Sequence, residues 1–287
     1  MRHQKQMSNL PISNLPISLS PIEIIRPDAP RGPFRRALFD FDGTVSLIRQ
    51  GWPEVMVAAM LDILRRDLPS NGTDMAHFCA DLVARTTGQP ILAQMTCLAD
   101  EIARRGGTPG DPRAYKQHYL ARLRQNIQHR LTALEQNPRR ADSLLVPGVV
   151  DFLAALQSRG IPCDLLSGTD RADVVAEARL LGVDRFFEAI YGPEDGTPGF
   201  SKQQAIDHIL HQNGLAGPEL VAFGDGPVET ANVAAVGGLA VGVASNEAER
   251  QGIDAGKRRR LIRSGAHLII PDFRAWAALL EFLGLNS

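Results

Sequence analysis

Residues 37–44 read Ala37-Leu38-Phe39-Asp40-Phe41-Asp42-Gly43-Thr44. A short apolar run closed by a polar glycine turn predicts a buried strand followed by a loop. If the chain stays extended from Asp40 to Asp42, residues i and i+2 project to one side. Both carboxylates can then reach the same reacting atom. Gly43 lets the backbone turn away without a side-chain clash. An Asp-Gly pair is also a common turn element, so the meaning of this stretch depends on what the rest of the chain supplies.

Downstream, from Val146-Pro147-Gly148, short apolar runs alternate with helical periods. The pattern predicts helix 149–158, strand 161–166, helix 172–181, strand 186–191 and helix 202–212. It continues with strand 220–223, helix 228–236, strand 239–243, a basic helical segment, strand 267–270 and helix 273–283. Such alternation specifies an α/β fold with a Rossmann-like parallel sheet and helices on both faces. The strand at 37–39 belongs with that sheet.

Between them lies a different rhythm. Met56, Met60, Ile63 and Leu64 share one helix face, and Met75, Phe78, Cys79, Leu82 and Val83 share another. Two further apolar stripes follow, Ile91 to Ile102 and Leu120 to Leu134. They predict an all-helical cap inserted after the first strand. The expected division is a disordered tail at 1–33, an α/β core at 34–48 and 146–287, and a helical cap at 49–145. The tail reading rests on the direct repeat Asn9-Leu10-Pro11-Ile12-Ser13 and Asn14-Leu15-Pro16-Ile17-Ser18, whose prolines forbid helix.

Composition narrows the function classes. Lys plus Arg number 31 against 32 Asp plus Glu among 287 residues, so the chain lacks the basic field that nucleic-acid coating needs. No apolar run approaches the ~20 residues of a membrane span. Pro11, Pro16 and Pro21 interrupt the apolar residues of the N-terminus, which does not read as a leader. With three cysteines, Cys79, Cys97 and Cys163, read as buried free thiols, the expected location is the cytoplasm. His208 and His211 have no further ligand to complete a zinc set. Lys257-Arg258-Arg259-Arg260 reads as a solvated helix face.

In open parallel sheets, ligands bind beyond the carboxyl ends of the strands. Asp40 and Asp42 follow the first strand, and Ser167-Gly168-Thr169-Asp170 follows the second. Gly224-Asp225 with Glu229 follows the strand at 220–223, and Lys202 opens a helix. Acids gathered at one sheet edge repel unless a cation joins them. A hard divalent ion with oxygen ligands, Mg²⁺ most naturally, answers that. A hydroxyl, a helix N-terminus and a lysine together suit a phosphoryl group. Thr169 or Asp170 reads as the cap of the next helix, leaving Ser167 for phosphate.

Asp40-Phe41-Asp42-Gly43-Thr44 resembles the signature of the haloacid dehalogenase superfamily, which consists mostly of phosphatases. Ser167, Lys202 and Gly224-Asp225 with Glu229 match its later motifs in order. Glu229 stands where many members have Asp. The resemblance implies that Asp40 attacks phosphorus and forms an aspartyl-phosphate, and that Asp42 acts as general acid and base. It implies Mg²⁺ held by the Asp40 carboxylate, the Asp42 backbone carbonyl and Asp225, with Glu229 acting through a water or by orienting Lys202. Ser167, the Gly168 amide and Lys202 would grip the phosphoryl oxygens.

In this family a helical insert after the first motif closes over the site and selects substrate. The polar break Arg85-Thr86-Thr87-Gly88-Gln89-Pro90 reads equally as a substrate loop and as a plain turn. Arg49, Trp52, Thr87 and Gln89 are the cap candidates for substrate contact; Tyr115, Lys116 and Tyr119 are weaker ones. Residues 45–51 and 144–148 would carry the opening motion. The expected function is a Mg²⁺-dependent phosphomonoesterase, monomeric or homodimeric, acting on a small phosphorylated metabolite such as a sugar phosphate. The rivals are a sugar phosphomutase on the same site and a catalytically silent binding protein.

Overall fold

A computed structural model describes residues 21–68, 74–194 and 199–285. Seven strands form one sheet: β1 (Glu23–Ile24), β2 (Arg36–Phe39), β3 (Cys163–Leu166), β4 (Phe187–Tyr191), β5 (Leu220–Gly224), β6 (Leu239–Val243) and β7 (Leu268–Ile270). Their order is β1-β7-β6-β5-β2-β3-β4. Every neighbouring pair is parallel except β1 with β7. The chain runs outward from β2 through β3 to β4, then returns to the other side of β2 as β5. The crevice where strand order reverses therefore lies at the carboxyl end of β2.

Period-two side chains split the core between the two sheet faces. On one face Phe39 stacks on Phe223 with ring centroids 4.8 Å apart, and Phe152 stacks on Phe273 at 5.3 Å. Phe152 comes from α5 (Val149–Ser158), and Phe273 precedes α10 (Trp276–Phe282). On the other face Leu38, Leu166, Leu220 and Ala222 pack against Ile206 and Ile209 of α7 (Lys202–Gln212) and Val233 of α8 (Pro227–Ala235). Truncating one of these phenylalanines to Ala removes about 3–5 kcal/mol of packing and transfer energy.

Between β2 and β3 lie α1 (Trp52–Asp67), α2 (Met75–Thr86), α3 (Ile91–Arg104) and α4 (Pro112–Gln136), with no strand among the described residues of this stretch. The remaining helices are α6 (Arg171–Leu181) and α9 (Ala255–Arg263). The two connections to the helical segment pair with each other: Leu47 N–H donates to Leu144 O at 2.8 Å and Val146 N–H to Val45 O at 3.0 Å. Arginines bind both from outside. Arg130 donates to the carbonyls of Ile48 (2.7 Å) and Gln50 (2.9 Å). Arg250 donates to those of Asp142 (2.8 Å) and Leu145 (2.9 Å).

The structure corrects the expected tail. Residues 21–33 belong to the fold: β1 adds to the edge of β7, Ile25 is buried with Leu261 and Ile262, and Arg31 lies over the Phe282 ring at 4.1 Å. Local proline content hid this, because Glu23-Ile24-Ile25 finds its partners only once β7 and α9 exist. The repeat at 9–18 lies outside the described residues. Cys79 and Cys163 are buried, and burial pushes their thiols up to about 11 and about 12, which keeps them protonated. Cys97, expected to be buried, is only partly so. No helix among the described residues is long and apolar enough to cross a membrane.

Candidate active site

Strand register sets the site. Phe39 stands level with Leu165 on one side and Phe223 on the other, so the residues that follow all three strands emerge together. Asp40 N–H extends the ladder to Phe223 O at 2.9 Å, and Ser167 N–H reaches Tyr191 O at 2.9 Å. Gly43 then turns at φ +75°, where an added Cβ would sit 2.2 Å from Asp225 Oδ2. Only a glycine allows the first loop to press against the third.

Lys202 closes the cluster. Its ammonium donates to Asp40 Oδ1 at 3.0 Å and Glu229 Oε2 at 2.8 Å, with the side chain 1% exposed. A cation at a helix N-terminus opposes the macrodipole; the two buried carboxylates explain its presence. Glu229 also accepts from Gly226 N–H at 2.7 Å through Oε1. Burial opposes the Glu229 charge, but Lys202 and the backbone bonds outweigh it and hold this carboxyl below its ordinary value. Asp40 behaves oppositely. Burial, with Glu229 and Asp225 nearby, pushes its carboxyl well above the ordinary value despite Lys202.

Asp42 Oδ2 accepts from Thr169 Oγ1 at 2.8 Å, and Arg49 Nε lies 3.9 Å from Oδ1. Asp42 Oδ1 itself is buried without a hydrogen bond. Burial raises this carboxyl above its usual range, and Arg49 and Thr169 oppose the rise. Thr169 is therefore not the cap of α6. Asp170 stands at that cap position but makes no capping bond there; its side chain accepts from Lys116 at 2.8 Å. Ser167 Oγ accepts from Thr169 N–H at 3.1 Å, which orders the loop around Asp42.

The basic run at 257–260 is also corrected. Lys257 turns inward: its ammonium lies 2.7 Å from Asp225 Oδ2 and 2.6 Å from Glu247 Oε1. Arg258 is buried and donates to Glu23 Oε2 at 2.8 Å. A charge run carries no signal of which members face inward when their partners are brought up by the fold, as Glu23 is to Arg258 across 235 residues of sequence.

Ligand oxygens of Asp40, Asp225 and Glu229 all lie within 4.8 Å of one another. These three carboxylates share two lysines, Lys202 with Asp40 and Glu229 and Lys257 with Asp225, and burial raises the carboxyls of both Asp40 and Asp225. An all-oxygen donor set of this kind fits a hard divalent cation.

The loop at 85–90 covers this site. Thr87, Gly88 and Gln89 line a cavity of about 60 Å³ that also contains Asp40, Asp42, Ser167 and Lys202. A Cβ on Gly168 would lie 2.9 Å from Gln89 O. Arg49, Trp52 and Tyr119 line the same cavity, whereas Arg85 is exposed and Tyr115 bonds to Asp67. Arg49 is already engaged, since its guanidinium holds Glu177 and Asp173.

A profile of the haloacid dehalogenase-like hydrolases matches residues 34–237. The chain belongs to that family. Among curated relatives, a phosphoglycolate phosphatase of Synechococcus elongatus is 30% identical over 111 residues, 39% of this chain and 51% of that protein. The match thus spans about half of that relative's length. A 5'-nucleotidase of Pseudomonas aeruginosa is 32% identical over 197 residues, 66% of this chain and 72% of that protein. A β-phosphoglucomutase of Clostridium difficile shares the fold at a TM-score of 0.59 and 10% identity, covering 88% of this chain and 97% of that one.

Proposed function

We propose that this haloacid dehalogenase-like hydrolase is a Mg²⁺-dependent phosphomonoesterase acting on a small phosphorylated metabolite through an aspartyl-phosphate. The observation that carries it is the pair of unlike aspartates at one strand end, Asp40 on Lys202 and Asp42 on Thr169. Asp40 is the nucleophile: it attacks phosphorus, and the P–O bond to the alcohol breaks. Asp42 gives the departing alkoxide its proton, then takes one from the water that cleaves the acyl-phosphate. A carboxyl raised by burial suits both duties. Lys202 and Ser167 hold the transferring oxygens. Asp40, Asp225 and the Asp42 carbonyl would hold Mg²⁺, with Glu229 supporting through Lys202. Bound there, the ion would offset the acidic charge and that of the phosphoryl group. Residues 49–145 act as the cap over the core.

Phosphate release from a panel of phosphoesters, stopped by a chelator and restored by Mg²⁺, is the expected result. Activity that survives thorough chelation removes the metal from this reading. Incubation with a hexose phosphate separates the mutase rival, since an isomer formed without free phosphate would favour it.

Lys257 gives a second check. Its ammonium already occupies one oxygen of Asp225 and repels a divalent ion bound to the same carboxylate. Lys257→Met should tighten Mg²⁺ binding by about tenfold, read by calorimetry on the full chain. Weaker binding would make Lys257 a support for the ligand rather than its competitor.

A further inference from the structure

The helical side of the cavity is nearly uncharged. Trp52, Met56, Ile91 and Tyr119 give it apolar and aromatic surface. Gln94 is spent on the loop, donating to Gln89 O at 3.1 Å and accepting from Thr86 Oγ1 at 3.2 Å. Thr87 Oγ1 donates back to Val83 O at 2.8 Å. What remains for a ligand is neutral. The Tyr119 hydroxyl and the side-chain amide of Gln89 make no hydrogen bond among the described residues.

Arg49 is the one cation that the helical side and its connection bring to the cavity among the described residues. Three carboxylates surround it. Nη2 donates to Glu177 Oε1 at 2.8 Å and Asp173 Oδ2 at 3.1 Å, Nε donates to Glu177 Oε1 at 3.1 Å, and Asp42 Oδ1 is 3.9 Å from Nε. Its positive charge is more than matched before any substrate enters. Lys202, the other cation lining the cavity, is held by Asp40 and Glu229 beside the reacting phosphorus.

We infer that the substrate is the phosphomonoester of a small uncharged alcohol, and that alcohols carrying a carboxylate or a second phosphate are rejected. The inference rests on the phosphatase reading and adds the chemistry of the leaving group. An anion on the alcohol would be buried against apolar surface near Glu177, Asp173 and Asp42 with no free cation to meet it, which is strongly unfavourable. Hydroxyls on a neutral alcohol meet the unpaired Tyr119 and Gln89 groups instead. Rejection is built by leaving the second anion without a partner.

Glycerol 3-phosphate and 3-phosphoglycerate share a carbon skeleton and differ by a hydroxymethyl against a carboxylate. Calorimetry on the Asp40→Asn protein reads their binding without turnover. Glycerol 3-phosphate should bind about 100-fold more tightly. Glu177→Gln, which releases part of the Arg49 guanidinium, should narrow that ratio by about tenfold, with circular dichroism confirming the fold. Equal or tighter binding of 3-phosphoglycerate to the Asp40→Asn protein overturns the inference, whether or not either ester is hydrolysed. If the expected binding order holds but the unmutated chain releases no phosphate from any ester, the phosphatase reading fails and the substrate assignment with it, leaving only the cavity's rejection of a second anion.

Discussion

Asp40→Asn should lower phosphate release from every ester by at least ~10⁴-fold, because a carboxamide cannot attack phosphorus and the steps after attack never begin. The fold should survive. Asn can still accept from Lys202 through its side-chain oxygen, and the replaced carboxyl is one that burial and its acidic neighbours already hold well above the usual range. Removing its charge relieves repulsion from Glu229 and Asp225. A melting temperature unchanged or raised, beside abolished turnover, separates chemistry from stability in one variant. If the unmutated chain and the variant are equally inactive across a broad panel with Mg²⁺, the catalytic reading is lost and a silent binding protein takes its place.

The acids and the lysine were legible because each follows a strand or opens a helix whose place in a parallel sheet the alternation dictates. Asp40, Ser167, Lys202, Asp225 and Glu229 fall at one end of such a sheet whatever their neighbours do. The side chains that complete the arrangement are different. Thr169 looks like a helix cap until β2 brings Asp42 beside it across 127 residues of sequence. Arg49 reads as a substrate contact until α6 presents Glu177 and Asp173. Lys257 sits in a run of four basic residues, and only the packing of α9 near β6 and α8 chooses which of them turns inward. β1 is the same case for the backbone: two residues cannot announce a strand whose partner lies at the far end of the chain. Local pattern reports the sheet and its switch point; pairings between distant segments need the fold first.

The second large effect belongs to Lys202. Its ammonium is the shared partner of two buried carboxylates, so Lys202→Met leaves Asp40 and Glu229 facing each other without it. Removing one member of a buried ionic set costs about 3–5 kcal/mol, and turnover should fall by roughly 10³-fold with the loss of phosphoryl charge stabilisation. The stability loss should depend on pH. In the unmutated chain the Glu229 carboxyl is held below its ordinary value, so its contribution is complete at neutral pH and fades as pH falls through that depressed range. In the variant burial raises Glu229 with no lysine to oppose it, and Asp40, already raised in the unmutated chain, is raised further. They bind protons more readily folded than unfolded, so the variant gains stability as pH falls. The gap between the two proteins should therefore be widest near pH 7 and narrow toward pH 5. Denaturant unfolding at both values, with chelator present, measures it. A small deficit that does not change with pH would mean that Lys202 is not what holds the two carboxylates in place.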